Sequence, residues 1–175
     1  DPIVTEGHPV LRQSAEPVPK NLFKTEELRA IVARMSASLR ETVHGVAIAA
    51  PQIAIPYRIF VVSGFVMTGR ERNLEDPDMA FVNPTIVRTS RKKILVSGEG
   101  CLSVPNVYGT VRRAEKTTVR AYDVEGKKFE RGGSELLAEI FQHEVDHLDG
   151  ILFIDKATDL KTMPLEKSLT SAPKE

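Results

Sequence analysis

Apolar positions follow a helical spacing near the start of the chain and a strand-like pattern through its middle. Within residues 25–44, six apolar side chains recur three or four apart, which predicts a helix with Thr25 as its N-cap and Gly45 as its stop. Residues 56–132 carry short β-branched and aromatic runs between turn residues, which predicts strands. Residues 1–24 are rich in proline and predict an irregular arm.

The strand region contains several apolar runs and one long polar interruption. Residues 117–122 and 128–130 flank the turn dipeptide Glu125-Gly126 and predict a hairpin. The interruption at residues 64–78 holds glycine, proline and aspartate, so it predicts a surface loop. The other strand predictions cover residues 57–62, 81–82 with 86–87, and 94–96.

A second helix is predicted to begin at Ser134, after two glycines, and to end at Gly150. Its apolar residues occupy more than one face, which is typical of a buried helix. Residues 151–154 predict a short strand, and the polar tail beyond Asp159 predicts no more than a short helix over residues 165–169.

The order of one helix, many strands and a second helix favours the α+β class over repeated βαβ units. We therefore expect mostly antiparallel strands packed around the buried second helix. A length of 175 residues suits one domain with a substantial core. We expect that domain to span residues 1–175, with a flexible tail after about residue 160.

Charge and cysteine content narrow the classes of function. The 24 basic and 24 acidic side chains cancel, so the net charge does not predict binding to nucleic acid or to an anionic membrane. No apolar run approaches the roughly 20 residues of a membrane-spanning helix. The only cysteine, Cys101, has no disulfide partner within the chain, so it is a buried filler, a reactive thiol or a metal ligand.

The second helix carries the most specific chemical signal, His143-Glu144-Val145-Asp146-His147. Histidines four residues apart lie on one side of a helix, so both imidazoles can reach one metal ion. Glu144 follows the first histidine, a position that suits a base acting on metal-bound water. The alternative is two unrelated histidines on a polar face. It is disfavoured because the helix is otherwise apolar and buried polar groups without partners are costly.

Three positions compete to supply a third metal ligand. In the peptidase pattern H-E-x-x-H-x-x-G-x-x-H the last histidine would stand at position 153, which is phenylalanine. Glu166 has the spacing of another peptidase pattern but lies in the polar tail. Cys101 is the stronger candidate, because Gly98 and Gly100 before it let the backbone approach a ligand closely.

Three motifs occur in order along the chain, at residues 45–52, 99–103 and 143–147, and together they resemble those of the peptide deformylase family. Residues 45–52, GVAIAAPQ, follow the family form G-x-G-L-A-A-P-Q, with Ala47 in place of the second glycine. The motif E-G-C-L-S is intact at residues 99–103, and H-E-x-D-H is intact at residues 143–147. Further similarity at residues 7–12 extends the resemblance over nearly the whole chain.

The resemblance implies a single catalytic domain that holds one divalent metal ion through Cys101, His143 and His147, with water as the fourth ligand. Such an open position is typical of catalytic rather than structural sites. The family commonly uses Fe²⁺, with Zn²⁺ or Ni²⁺ as substitutes. We therefore expect Fe²⁺ as the native metal, although cysteine and histidine suit all three ions.

The reaction implied by the family is hydrolysis of the N-formyl group from the starting methionine of a new polypeptide, which releases formate. Glu144 then corresponds to the general base on metal-bound water. The side-chain amide of Gln52 and the backbone N–H of Leu102 correspond to donors that stabilise the oxyanion.

The expected partners are the formyl-methionyl ends of nascent chains, near the ribosome. The expected compartment is the bacterial cytoplasm, or an organelle if a presequence has been removed. Neither nucleic-acid binding nor membrane binding is predicted, and the resemblance does not fix an oligomeric state.

Substrate contacts are expected on the helix and in the glycine motifs. Leu136 and Ile140 share a helical face with His143, so we expect an apolar pocket for methionine beside the metal. Plain core packing is the alternative, and it is favoured for Leu136. Gly45 and Gly100 are expected to contact an extended peptide through their backbones.

Three charged residues near the motifs have two interpretations each. Glu99 and Arg113 either form an ion pair that braces the cysteine loop or are solvated surface charges. Asp146 either braces a neighbouring loop or faces a partner inside the fold.

Two other functions compete with the deformylase hypothesis. The first is a metallopeptidase that uses the same helix. The second is a deformylase-like protein of low activity, because a Cβ atom at Ala47 is costly if the backbone there needs a positive φ or lies against substrate.

Overall fold

The computed structural model describes residues 1–163, which fold into two antiparallel sheets around a central helix. The helices are α1 Glu26–Arg40, α2 Gly64–Thr68 and α3 Leu136–Leu148. The strands are β1 Ala47–Ala49, β2 Ile59–Val62, β3 Met79–Thr89, β4 Lys93–Cys101, β5 Val104–Ala114, β6 Lys116–Tyr122, β7 Lys128–Ser134 and β8 Thr158–Thr162.

The strands form one sheet of order β1-β2-β3-β6-β7 and a second of order β4-β5-β8. Neighbouring strands in both sheets run antiparallel, and α3 contacts strands of both sheets. The predicted α+β class with mostly antiparallel strands is therefore confirmed. The predicted hairpin is also correct, since Val119 of β6 pairs with Arg131 of β7 across the turn.

Three fully buried phenylalanines fix α3 on the five-stranded sheet. Phe60 of β2 stacks on Phe81 of β3 with ring centroids 4.6 Å apart, and Phe141 of α3 meets the ring of Phe81 edge-on at 5.3 Å. Such aromatic pairs contribute about 0.5–1.5 kcal/mol beyond the area that they bury. Because Phe141 is two residues before His143, this cluster also sets the position of the histidine helix.

The first helix forms where its apolar spacing predicts, but it ends early. The Thr25 hydroxyl accepts a hydrogen bond from the Leu28 N–H at 3.2 Å, as expected of an N-cap. The helix stops at Arg40 rather than at Gly45. The Thr42 hydroxyl donates to the Leu39 carbonyl and accepts from the Gly45 N–H, and this side-chain turn replaces further helical bonding.

Two boundaries around α3 differ from the sequence predictions. The helix begins at Leu136, because Ser134 pairs with Lys116 as the last residue of β7 and Glu135 has a φ of 56°. The strand predicted over residues 151–154 is wrong. The Leu152 N–H donates to the Asp155 carboxylate at 3.1 Å, which closes a 3-10 helix over Phe153–Asp155.

Two segments described as loop or tail contain regular structure. The segment 64–78 begins with α2, and the Asp78 carboxylate accepts a hydrogen bond from the Gly64 N–H at 3.1 Å. The tail contributes β8, which pairs with β5. The helix predicted over residues 165–169 lies outside the described residues. Within residues 1–163, no helix is both long enough and apolar enough to cross a membrane.

The aromatic cluster makes a prediction about stability. We expect Phe81→Ala to lower the free energy of unfolding by about 3–5 kcal/mol, because it opens a cavity beneath α3. Leu95→Ala is the control, since Leu95 is 71% exposed, and its effect should stay within about 0.5 kcal/mol. Urea unfolding followed by circular dichroism measures both. A loss below about 1 kcal/mol for Phe81→Ala would contradict the role given to the cluster.

Candidate active site

Helix α3 presents His143, Glu144 and His147 at the junction of the two sheets. His143 and His147 lie one helical turn apart, and their ring centroids are 5.0 Å from each other. Glu144 and His147 are only 4% and 1% exposed. Phe153, from the 3-10 helix, lies nearly parallel to the His143 ring at 6.2 Å. The polar face of α3 is therefore held inside the protein.

Cys101 reaches this face from the end of β4. Its Sγ atom lies 3.2 Å from Nε2 of His147. One side-chain donor atom each of Cys101, His143 and His147 lies within 4.8 Å of the others, so the three can surround a single ion. Cys101 is half-buried, because β4 ends there and turns into β5 at the mouth of a cleft.

A buried carboxylate orients one of the two histidines. Oε1 of Glu99 lies 2.7 Å from Nδ1 of His143, and Arg113 donates to both oxygens of Glu99. Burial opposes ionisation of Glu99, but the hydrogen bonds from His143 and Arg113 outweigh it and hold its pKa below the usual value. Burial opposes protonation of His143, but its contacts with Cys101 and Glu99 outweigh burial and raise its pKa well above the usual value. Glu99 accepts the Nδ1 proton, so a metal that binds His143 displaces the proton on Nε2.

The interpretation of Glu99 and Arg113 as solvated charges is therefore wrong, since they are 2% and 3% exposed. Arg113 also donates to Asp146 of α3 at 2.7 Å, and Lys156 lies 3.0 Å from the other Asp146 oxygen. Both interpretations of Asp146 hold at once, since it faces a buried partner and braces the segment after α3. This chain of charges ties β4, β5 and α3 together.

Glu144 is buried beside Cys101, His143 and His147, and one of its carboxylate oxygens lacks a hydrogen-bond partner among the described residues. No described residue donates a hydrogen bond to its Oε2 atom. Burial raises the pKa of Glu144 to about 7. A carboxyl group with a pKa near neutrality can both accept and return a proton at physiological pH.

The Gln52 side chain points its amide nitrogen at the site. Its Oε1 accepts the Ala49 N–H at 2.9 Å, which fixes the orientation of the amide. Its Nε2 then lies 3.1 Å from the Ser103 hydroxyl and 3.7 Å from Sγ of Cys101. Leu102 follows Cys101 directly and lines the same cleft. The structure thus brings both predicted oxyanion donors to the cysteine.

The cleft has a volume of about 490 Å³ and opens beside His143. All four residues predicted to contact substrate line it, although in different ways. Ile140 is 4% exposed and belongs to the core as well, whereas Leu136 is 46% exposed, so core packing does not describe Leu136. A Cβ at Gly45 would lie 2.1 Å from the Thr42 hydroxyl, and one at Gly100 would lie 2.7 Å from the Tyr108 ring. Both glycines are thus required by packing within the protein.

One residue that lines the cleft was missed by the sequence reasoning. Glu139 is half-buried in the wall of the cleft, one helical turn before His143. Burial, and then the negative charge of Glu99, raises the pKa of Glu139. Residues four apart share a helical face, so the position of Glu139 relative to His143 could have predicted that it lines the cleft. It was overlooked because the pocket was expected to be apolar.

Ala47 does not take the strained conformation that its sequence position suggested. It is not among the residues with positive φ, and it is the first residue of β1, paired with Val62. It is 7% exposed and packs into the cluster that contains Phe60, Phe81 and Phe141. Its methyl group is therefore part of the core at the inner end of the cleft.

Of the two alternative third ligands, only position 153 lies within the described residues, and its phenylalanine cannot bind a metal. Phe153 is 1% exposed and packs in the core. Glu166 lies outside the described residues.

The donors fit a divalent transition metal. A cysteine and two histidines suit Zn²⁺, Fe²⁺ or Ni²⁺, and burial lowers the pKa of His147 well below its usual value, which favours the neutral imidazole that a metal requires. Oε2 of Glu144 accepts no hydrogen bond from the described residues, so it is free to accept one from a water molecule. The open cleft alongside is typical of a catalytic metal site.

Comparisons with known proteins agree with this fold and site. A model of the polypeptide deformylase family matches residues 1–163. The peptide deformylase of Acidobacterium capsulatum is 44% identical over 160 residues, which are 91% of this chain and 88% of that protein. That of Thermomicrobium roseum is 40% identical over 166 residues, which are 92% of this chain and 88% of that protein.

Solved structures give the same result. The Met-Ala-Ser-bound class I type b peptide deformylase from Acinetobacter baumannii has a TM-score of 0.78 and 36% identity. The match covers 89% of this chain and 97% of that chain. Fold and comparisons together define an α+β, metal-dependent hydrolase, and Cys101, His143 and His147 form a candidate metal site in it. The chain belongs to the polypeptide deformylase family.

The buried carboxylate behind His143 makes a prediction about metal affinity. We expect Glu99→Gln to weaken Zn²⁺ binding about 10–100-fold, because it removes the charge that orients His143. Competition with a chromogenic chelator measures this. The control is Glu130→Gln, which removes the same charge from an exposed pair with Arg120 and should leave affinity unchanged. Equal affinities for both variants would contradict the role of Glu99.

Proposed function

We propose that this protein removes the N-formyl group from the starting methionine of newly made polypeptides, within the single domain expected from the sequence. The observation that carries the proposal is the convergence of Cys101, His143 and His147 within 4.8 Å, next to the buried and unpartnered carboxylate of Glu144. The family to which the chain belongs consists of metal-dependent hydrolases, and its relatives are named for this reaction.

In this proposal, Sγ of Cys101 and Nε2 of both histidines hold one divalent ion. When bound, such an ion supplies a Lewis acid that acidifies water and polarises a carbonyl oxygen. We propose Fe²⁺ as the native ion, with Zn²⁺ or Ni²⁺ able to replace it, because the donor set suits all three. Glu99 keeps His143 in the tautomer that this task needs.

Glu144 moves the proton in the proposed reaction. Its Oε2 accepts a proton from the attacking water and then returns it to the nitrogen of the leaving methionine. The formyl carbon–nitrogen bond breaks, and formate and a free amine are released. The raised pKa of Glu144, caused by burial, matches a group that both takes and gives a proton near neutrality.

Gln52 and Leu102 stabilise the oxyanion that forms when water attacks the formyl carbon. Both are neutral donors, the side-chain amide of Gln52 and the backbone N–H of Leu102, and both lie next to Cys101. The amide of Gln52 is oriented in advance by its bond from Ala49. Preorganised donors of this kind are usually the largest single contribution to catalysis.

The cleft takes the methionine and the residues that follow it. Ile140 and Leu136 offer apolar surface to the methionine side chain, while Gly45 and Gly100 line the same cleft with backbone. Backbone contacts tolerate many sequences, which suits an enzyme that acts on many different nascent chains. We propose that the enzyme acts near the ribosome. Its bacterial relatives favour the bacterial cytoplasm or an organelle of bacterial origin.

The proposal predicts metal-dependent release of formate. Protein loaded with Ni²⁺ or Fe²⁺ should release formate from formyl-Met-Ala-Ser, lose this activity on chelation and regain it when metal is restored. Glu144→Gln should lower kcat by about 10²–10⁴-fold without lowering metal content, because Glu144 is not a ligand. Formate release is measured with a coupled formate dehydrogenase assay.

Two results would overturn the proposal. One is a fully metallated sample that releases no formate. The other is a sample that instead cleaves internal bonds of unformylated peptides, which is the behaviour of a metallopeptidase.

The role of Gln52 makes a separate prediction. We expect Gln52→Ala to lower kcat about 10²–10³-fold with little change in KM, because an oxyanion donor acts only in the transition state. Gln52→Glu keeps the acceptor for the Ala49 N–H but removes the donor, so it should fail in the same way. Urea unfolding checks that both variants stay folded. Near-normal kcat in either folded variant would exclude this role.

A further inference from the structure

The charges of this protein cancel in number but are unevenly distributed. The β3–β4 and β5–β6 connections lie side by side, because the Ser90 N–H donates to the Lys116 carbonyl at 2.9 Å. The two segments that meet there, residues 88–93 and 112–116, carry seven basic side chains and one acidic side chain. The expectation of no nucleic-acid binding was drawn from the net charge, which averages over this local excess.

Five of these seven cations have no acidic partner. Lys92 pairs with Glu115 at 3.0 Å. Arg113 is buried against Glu99 and Asp146. The other five are exposed, and none of them forms an ion pair with any residue from 1 to 163. These five residues, which we call the basic patch, are Arg88, Arg91, Lys93, Arg112 and Lys116.

Two of the five cations lie on the outer face of the five-stranded sheet. Successive side chains of a strand point to opposite faces, and Thr117 and Val119 of β6 are buried. Thr118 and Lys116 therefore point away from the core. Arg88 of β3 pairs with Thr118 and shares its face, so Arg88 and Lys116 are diagonal neighbours on one surface.

The other three cations continue this surface onto the three-stranded sheet. Arg113 is buried, so its neighbour Arg112 points outward. Leu95 of β4 pairs with Arg112 and is 71% exposed, and Lys93, two residues before it, shares its face. Arg91 lies in the turn between β3 and β4. The basic patch therefore crosses the junction of the two sheets, with its strand residues on the side away from α3.

The basic patch is remote from the cleft. Strand β4 runs from Lys93 in the patch to Cys101 in the cleft. Eight residues of extended strand span about 26 Å. None of the five cations lines the cleft. A ligand on the patch and a peptide in the cleft therefore do not compete for the same surface.

We infer that the basic patch binds the phosphate backbone of RNA, which makes it a docking surface separate from the cleft. Three of its five cations are arginines, whose planar guanidinium groups can donate two parallel hydrogen bonds to one phosphate. The choice of RNA as the polyanion rests on the proposed function, because the substrate is then the end of a chain that is being made on the ribosome, a particle rich in RNA.

The surface around the patch favours RNA over an anionic membrane. Proteins that bind lipid surfaces combine cations with several apolar side chains that insert between the lipids. Within residues 88–98 and 111–118, Leu95 is the only exposed large apolar side chain. A single leucine is a weak anchor, whereas binding to a phosphate backbone requires only the cations.

The test measures the binding of metal-loaded protein to a fluorescently labelled RNA stem-loop by anisotropy. At physiological salt the dissociation constant should be on the order of 10⁻⁶–10⁻⁴ M, as is typical of contacts with the backbone alone. The logarithm of the affinity should fall with the logarithm of the salt concentration with a slope of about −4.5. Each of five neutralised phosphates contributes about −0.9 to that slope.

Two triple variants assign the binding to the patch. The patch variant, which leaves only two of the five cations, should lower the affinity about 10–100-fold and reduce the slope to about −2. The control variant removes three exposed cations that lie in neither segment and form no ion pair within residues 1–163, so it has the same net charge and should bind within about threefold of wild type. The patch variant is Arg91→Gln, Lys93→Gln and Arg112→Gln, and the control is Lys20→Gln, Arg70→Gln and Lys127→Gln.

The outcomes separate this inference from the proposed function. Both triple variants should keep the wild-type kcat/KM for formyl-Met-Ala-Ser, since the patch is remote from the cleft. Protein that binds RNA through the patch but releases no formate would overturn the proposed function alone. Three results would overturn the role of the patch: no RNA binding by wild type, RNA affinity that the patch variant retains, or tighter binding to phosphatidylglycerol vesicles than to RNA. Circular dichroism checks that each variant is folded.

Discussion

The ion pair between Glu99 and Arg113 is the contact on which the geometry of the site depends. It joins β4 to β5, and through His143 and Asp146 it joins both strands to α3. Taking these charges out of water is expensive, and the cost is offset only because every member has close partners. The pair therefore contributes less to net stability than to a unique arrangement. If one partner were lost, the charge left behind would be buried and uncompensated.

The site residues differ in how well the sequence predicts them, because some depend on local spacing and others on contacts between distant positions. Spacing along one helix is local information, so His143, Glu144 and His147 follow directly from the 3.6-residue period. Cys101 and Gln52 are predicted because their segments resemble motifs of the deformylase family. The contact between Glu99 and Arg113 joins two strands at positions 14 residues apart. The sequence alone does not show that these positions meet, so an ion pair and two solvated charges were both possible interpretations.

Boundaries and short elements were predicted least well, and the reasons are particular side chains. The Thr42 hydroxyl ends α1 before Gly45, and Asp155 closes a 3-10 turn in the apolar run at residues 151–154. Strand β5 was not predicted because Pro105, Asn106 and Gly109 interrupt its apolar pattern, although pairing with β4 and β8 sustains it. A local side-chain hydrogen bond sets the boundary in the first two cases, whereas tertiary pairing overrides the local preference in β5.

Helix α3 also retains buried polar groups that lack hydrogen-bond partners among the described residues. Oε2 of Glu144 and Nδ1 of His147 have no hydrogen-bond partner among the described residues. Buried groups of this kind destabilise a protein by about 1–3 kcal/mol each. The aromatic cluster of Phe60, Phe81 and Phe141 lies against the same helix and supplies compensating packing. The aromatic packing that stabilises the protein thus lies beside the buried polar groups that destabilise it.

The three proposed ligands come from parts of the chain that meet only in the folded state. Cys101 lies in the three-stranded sheet, and both histidines lie in helix α3. His143 follows Cys101 by 42 residues in the sequence. An unfolded chain has no such site, so an ion that binds here binds almost entirely to the native state. By mass action, free metal at 100 times its dissociation constant adds about 2.7 kcal/mol to the free energy of unfolding. In the proposed function, the ion that supports catalysis therefore also stabilises the folded state.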